Sequence, residues 1–245
     1  MDLGLKNKVA LVMGSSAGLG KGVARTLIQE GALVCLCSRN EEKLALTQKE
    51  IKADSSFVCD LSQPNSAQQL VQKVLKKYGR LDILVVNTGG PPKAQFHEVS
   101  SQMWKESFDS LWMAAVEAIQ EALPSMKNHK FGRILLVTSV AAKEALPSLT
   151  ISNGLRAGLL GLARSLSHEV AQYGVTINSI LPGYTETERL SALGLNLNKI
   201  AEQIPAGRLG TTEEFGALAA FLVSESAGYI TGQAIAIDGG SMHGI

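Results

Sequence analysis

Short, largely apolar runs recur along the chain. Between them lie longer stretches whose apolar positions repeat with helical period. Residues 9–13, 33–37, 56–59, 83–86, 134–138, 175–181 and 234–237 have the length and composition of strands buried on both faces. Residues 18–30, 41–51, 66–78, 101–126, 152–173 and 213–223 predict helices. In the third of these, Leu70, Val71, Val74 and Leu75 share one face and Gly79 supplies the stop, as Gly31 does for the first. Strict alternation of strand and helix predicts an α/β fold: a single Rossmann-type, doubly wound domain over residues 1–245, its seven-stranded parallel sheet covered by helices on both faces. Residues 183–210 are the one long irregular stretch, of the kind that serves as a lid or substrate loop.

Composition narrows the function classes. The 245 residues are 45 % hydrophobic, enough for one large core, and the net charge of +1 offers no bulk attraction to nucleic acid or a membrane surface. The Lys73–Lys77 cluster reads as a solvated helix face. No basic segment followed by an apolar run opens the chain, and no apolar stretch reaches the ~18 residues of a membrane span. A cytoplasmic protein is expected. Cys35, Cys37 and Cys59 are odd in number and lack a ligand pattern, which predicts reduced thiols, with Cys35 and Cys37 in the core. His97, His129, His168 and His243 share no metal spacing, so no metal site is expected.

Chemistry begins at Gly14-Ser15-Ser16-Ala17-Gly18-Leu19-Gly20, between the first strand and first helix. Glycines there permit a tight turn and let a pyrophosphate approach the helix N-terminus, where free N–H groups and the dipole favour anions. The alternative is a turn that serves packing alone. The spacing is G-x-x-x-G-x-G, which resembles the short-chain dehydrogenase/reductase family. Asp60-Leu61, Val86-Asn87-Thr88-Gly89 and Pro182-Gly183 with Thr187 resemble further marks of that family. Tyr229-Ile230-Thr231-Gly232-Gln233 and Asp238-Gly239-Gly240 resemble its 3-oxoacyl-acyl-carrier-protein reductase branch, so the likeness spans essentially the whole chain.

The resemblance implies a nicotinamide dinucleotide held by Gly14, Ser16, Gly18, Leu19 and Gly20. It sets Asp60 and Leu61 at the adenine, Asn87 and Gly89 along the strand ends, and Pro182, Gly183 and Thr187 beside the nicotinamide. It also implies a homodimer or homotetramer. The small residues Gly154, Ala157, Gly158 and Gly161 would admit a neighbouring helix, or else simply pack on the sheet. At the end of the second strand stand Ser38 and Arg39, where a carboxylate would select the ribose hydroxyl. A guanidinium pairs with phosphate through parallel hydrogen bonds. NADP(H) is therefore favoured over NAD(H), the alternative being that Arg39 is a solvated charge. Met13 and Ala17 depart from the family pattern, in which a threonine and often a basic residue stand.

The catalytic half departs further. The family uses a serine, a tyrosine, a lysine four residues later, and an asparagine that completes a proton relay. Ser139 matches the serine, but Ser152 stands for the tyrosine, Arg156 for the lysine and Leu111 for the asparagine. A phenol of pKa ~10 can be brought toward neutrality by a nearby cation; a serine hydroxyl is far less acidic and much shorter. Arg156 stays charged and can bind ribose or an oxyanion, but does not tune an acid as lysine does. Tyr184 is the nearest alternative phenol, although it also reads as a lid tyrosine; Lys143 and Glu144 read as solvated. Two functions stay open: an oxidoreductase acting on a small-molecule or acyl-thioester carbonyl, with weak or non-standard proton transfer, and a catalytically silent nucleotide-binding protein. A non-redox use of the same pocket is a third.

Overall fold

The computed structural model describes residues 2–191, 194 and 196–244. Residues 192, 193 and 195 of the 183–210 stretch, with Met1 and Ile245, lie outside the described residues. Seven strands form one parallel sheet: β1 (Val9–Val12), β2 (Leu33–Ser38), β3 (Ser55–Val58), β4 (Ile83–Val86), β5 (Gly132–Val137), β6 (Val175–Pro182) and β7 (Ala234–Ile237). Their order is β3-β2-β1-β4-β5-β6-β7. Every residue of β1, β4 and β5 is buried, which is why β1 and β4 are apolar throughout rather than alternating; β5 also buries Arg133, whose guanidinium donates to the carbonyls of Ser224, Gly132 and Gly174. In register, Val12 stands beside Leu36 on one side and Val85 on the other. The strand order reverses between β1 and β4, and ligands of such sheets sit beyond the carboxyl ends at that reversal.

The helices are α1 (Gly18–Gln29), α2 (Glu41–Ile51), α3 (Ser66–Tyr78), α4 (Ser101–Ser107), α5 (Ala114–Asn128), α6 (Thr150–Val170), α7 (Glu188–Ser191), α8 (Leu197–Gln203) and α9 (Thr212–Leu222). One sheet face carries Val23, Leu27, Leu44, Phe215 and Ala219 from α1, α2 and α9. The other carries Leu70, Val74, Ala115, Ala118, Leu159 and Ala163 from α3, α5 and α6. The α1–α9 crossing needs a glycine: a Cβ on Gly22 would lie 2.6 Å from the carbonyl oxygen of Thr212.

The structure corrects the expected 101–126 helix. It is broken by a π-helical turn, Phe108–Met113, between α4 and α5. At this turn the Ser110 hydroxyl donates to the carbonyl of Glu106 at 2.8 Å and reaches that of Ser107 at 3.5 Å, and the Phe108 and Trp112 rings stack 6.0 Å apart. The irregular 183–210 stretch contains two short helices, α7 and α8. Other boundaries move by one to three residues; β5 begins at Gly132, and α6 begins at Thr150 and ends before a 3₁₀ turn at Ala171–Tyr173.

Candidate functional site

A groove of ≈ 910 Å³ lies beyond the carboxyl ends of β1 to β4. Seven residues singled out from sequence line it: Gly14, Ser38, Arg39, Asp60, Leu61, Asn87 and Gly89. A third wall, from Pro91 and Pro92 through Met103, Ser107 and Ser110, had no signature in the sequence. Its Met103, Ser107 and Ser110 come from α4 and the π turn.

The glycine turn is fastened from three sides. Gly14 and Gly18 have φ of +59° and +54°. A Cβ on Gly14 would lie 2.5 Å from the Asn87 carbonyl oxygen, and one on Gly20 would collide with the Gly14 carbonyl. Asn87 Nδ2 donates to Gly14 O at 3.0 Å. Ser15 Oγ accepts from Cys37 N at 3.0 Å, the Thr47 hydroxyl donates to Ser16 O at 2.9 Å, and Ser16 Oγ donates to Ser38 Oγ at 2.8 Å. α1 then opens at Gly18 with no side-chain cap from Ala17 and no acid in its first turn. Its N-terminal N–H groups and positive dipole end are left for an anion. The turn fits a pyrophosphate: among the described residues, the space in front of Gly18 meets only the Thr187 side chain, at 3.5 Å.

At the β2 and β3 ends, Arg39 is exposed on the groove rim. Hydrogen bonds from Ser62 N at 3.0 Å and Ser62 Oγ at 2.8 Å hold the Asp60 carboxyl below the usual range, and the Arg39 charge adds to this. Cys37 and Cys59 share the groove wall. A hydrogen bond between the two thiols pushes Cys37 well above its ordinary value and brings Cys59 down to about 7.

The catalytic positions lie apart from this groove. Ser139 Oγ accepts from Ala141 N at 3.1 Å and caps a 3₁₀ turn, Val140–Ala142. Ser152 and Arg156, each 7 % exposed, stand one turn apart near the start of α6. Arg156 Nη1 donates to Val137 O at 3.0 Å and Thr138 O at 2.8 Å. That nitrogen therefore braces the β5 end. Leu111 lies in the π turn, 1 % exposed, in the apolar cluster that includes Met13 and Leu159. None of these four lines the groove.

Other expectations resolve differently. Thr187 Oγ1 accepts from Leu190 N at 3.3 Å, so it caps α7 while its methyl covers the glycine turn. Leu19 packs partly buried on the α1–α9 cluster, and Gly183 packs against Asp238, whose Cβ would lie 2.7 Å from a Cβ on the glycine. Tyr184 lines a separate hollow of ≈ 110 Å³ with Arg208, Phe215 and Asp238. Glu144 is not simply solvated: both its carboxylate oxygens accept from His243 N at 3.1 Å, a link between positions 99 residues apart that no local pattern signals. Trp112 of the same chain lies over Gly158, where a Cβ would stand 2.6 Å from its ring, so that glycine serves packing within the chain; Gly154 is exposed, with Trp104 at an ordinary 3.6 Å. Ala157 and Gly161 remain on the exposed side of α6.

Comparison with known proteins agrees with this architecture. A family model described as enoyl-(acyl carrier protein) reductase matches residues 14–242. The chain is 32 % identical over 259 residues to the NADPH-dependent reductase BacG of Bacillus subtilis, covering 98 % of this chain and 100 % of that one. It is 30 % identical over 247 residues to the 3-oxoacyl-[acyl-carrier-protein] reductase FabG of Escherichia coli, covering 97 % and 98 %. The structure of L-sorbose reductase from Gluconobacter frateurii, complexed with NADPH and L-sorbose, superposes with a TM-score of 0.94 at 28 % identity over the full length of both chains. The chain thus belongs to the short-chain dehydrogenase/reductase family, in its 3-oxoacyl-[acyl-carrier-protein] reductase-like branch.

Proposed function

We propose that the chain binds NADP(H) in the groove and exchanges hydride with a small-molecule or acyl-thioester carbonyl or alcohol, with weak or non-standard proton transfer. The observation that carries this reading is the uncapped glycine turn opening on a groove whose ribose end bears Ser38 and Arg39 in place of a carboxylate. The NADPH dependence named for BacG, and the NADPH in the sorbose reductase complex, support it.

The bound dinucleotide would supply the hydride; the chain's own residues position, shield and protonate. N–H groups from Gly14 to Gly20 hold the pyrophosphate, and Arg39 pairs with the 2′-phosphate. Asp60 and Leu61 flank the base. Pro182, Gly183 and Thr187 shield the nicotinamide side, within a 183–210 segment that serves as the substrate loop. Ser139 orients the substrate oxygen, and Arg156 keeps the β5 end in register. No phenol stands at position 152, so water supplies the proton. Loss of a positioned acid lowers rates by ~10²–10⁴.

A silent nucleotide-binding role is the second reading. Leu111, buried among apolar side chains where the relay asparagine would stand, favours it. The exposed α6 face with Ala157 and Gly161 suits pairing of two copies into a homodimer or homotetramer. Among the described residues no helix is long and apolar enough to cross a membrane, consistent with a cytoplasmic location.

The test is an NADPH fluorescence titration followed by NADPH oxidation with acetoacetyl thioesters and a ketone panel. Binding with slow turnover supports the first reading, and binding with none supports the second. Absence of binding removes the cofactor assignment.

A further inference from the structure

We propose that Cys59 is a site of reversible modification by small disulfides, and that the mixed disulfide it forms fills the groove in place of the dinucleotide. The second half of this inference rests on the nucleotide reading above. Two thiols, Cys37 and Cys59, meet in the groove wall. Cys37 stands opposite Phe57 in the β2–β3 register, and the ladder runs on as Cys59 N donates to Ser38 O at 3.0 Å. Alternate residues of a strand share a face, so Cys59, two past Phe57, turns to the same face as Cys37. Both sit against the core cluster that α3 helps to form. Their exposures differ: Cys37 is fully buried, while Cys59 keeps part of its surface at the groove.

The surroundings of the Cys59 sulfur suit a thiolate. The Cys37 thiol donates to it and brings Cys59 down to about 7; the Ser66 side chain and the Lys73 charge add to this, while burial and the Asp60 charge oppose it. The Ser66 hydroxyl, at the first position of α3, is buried and has no partner among the described residues. The neutral Cys59 thiol directs its proton to the Ser66 carbonyl at 3.5 Å. Ionised, the sulfur can accept from the Ser66 hydroxyl instead, so the thiolate satisfies a buried donor that the thiol leaves unpaired. A thiol that ionises near the ambient pH is well matched to disulfide exchange. The thiolate attacks one sulfur of the small disulfide. A new S–S bond forms, the old one breaks, and the released thiolate takes a proton from solvent. Cys59 is oxidised, half of the small disulfide is reduced, and no further oxidant is needed. The groove, ≈ 910 Å³, has room for a tripeptide adduct. Asp60 and Leu61, the next two residues of the chain, line the same groove, so adduct and dinucleotide compete for one space.

The test incubates wild type with glutathione disulfide, locates the adduct by intact mass and peptide mapping, and then titrates NADPH. One glutathionyl group should appear, on Cys59. The modified protein should lose NADPH binding and regain it on reduction with dithiothreitol, and bound NADPH should slow formation of the adduct. The rate should rise through a midpoint of about 7. Cys37→Ala should move that midpoint up, toward the ordinary 9.0, and Cys37→Ser, which keeps a donor, should hold it below the alanine value. Cys59→Ser should form no adduct. No adduct on wild type, an adduct on Cys35 or Cys37 instead, or an adduct that leaves NADPH affinity unchanged overturns the proposal. If Cys37→Ala fails to fold, mapping of wild type against Cys59→Ser decides. If unmodified protein does not bind NADPH, the nucleotide reading and the competition fall together, and the mapped adduct alone decides the modification site.

Discussion

The nucleotide half and the catalytic half of this molecule share one sheet but have fared differently. At the β1–β2–β4 ends the glycine turn is held at three residues: Gly14 by Asn87, Ser15 by Cys37, Ser16 by Thr47 and Ser38. At the β5–α6 end the side chains at the expected catalytic positions make contacts within the chain. Ser139 caps a turn, Arg156 Nη1 braces two carbonyls, and Leu111 fills apolar space. On the function proposed above, binding geometry depends on backbone and proton transfer on a few side chains, so the two are separable within one fold.

The comparison breaks most visibly at Gly20. A methyl there meets the Gly14 carbonyl, so Gly20→Ala forces the turn open. NADPH affinity should fall strongly, because the N–H groups that hold the pyrophosphate are displaced. Ser152→Ala, by contrast, should leave both NADPH affinity and residual turnover essentially unchanged, since no acid is lost. A large drop in turnover would mean that Ser152 is itself a working catalyst.

The ribose end comes next in size. Arg39→Ala should weaken NADPH by about 10–100-fold, the range for one charge-assisted hydrogen-bonding contact, and leave NADH unaffected. Equal loss for both cofactors would show that Arg39 does not read the phosphate.

A smaller effect lies in the groove wall. The nucleophile is the thiolate, and the hydrogen bond from Cys37 brings Cys59 down to about 7. Iodoacetamide should label Cys59 before Cys35 or Cys37, with a rate that rises through a midpoint of about 7 and is suppressed by NADPH. Cys59→Ser should remove the fast phase; its survival would move the reactive thiol elsewhere.

The smallest effect checks the scaffold. Glu214 accepts from Thr211 N at 2.9 Å in the capping box of α9, and its ion pair with Arg208 holds its carboxyl at about 2, below the ordinary 4.5. A carboxyl lowered on folding adds stability above its unfolded value, and that stability is lost as pH falls toward the folded one. Melting temperature should therefore decline between about 4.5 and about 2, modestly because the pair is exposed. Glu214→Gln should flatten that decline, and an unchanged slope would assign it to other carboxylates.

Much of this was legible in the chain because parallel strands buried on both faces are apolar end to end, as in β1 and β4. The glycine turn was legible because positive φ and close approach leave glycine little competition. The π turn was not, since one extra residue per turn barely disturbs an apolar period. Nor was the direction of Arg156: spacing placed it one turn past Ser152, but only packing shows Nη1 folded back onto Val137 and Thr138. The Glu144–His243 link and the Ser107 wall depend on contacts between distant segments, which local patterns do not encode.

The most direct test of the separation preloads wild type and the Leu111→Asn/Ser152→Tyr/Arg156→Lys variant with NADPH and follows a single turnover with an acetoacetyl thioester. The account predicts equal NADPH affinity and a rate gain of about 10²-fold or more for the variant, the size of a restored general acid. A wild-type rate already as fast as the variant's, or NADPH affinity that changes with these substitutions, would contradict it.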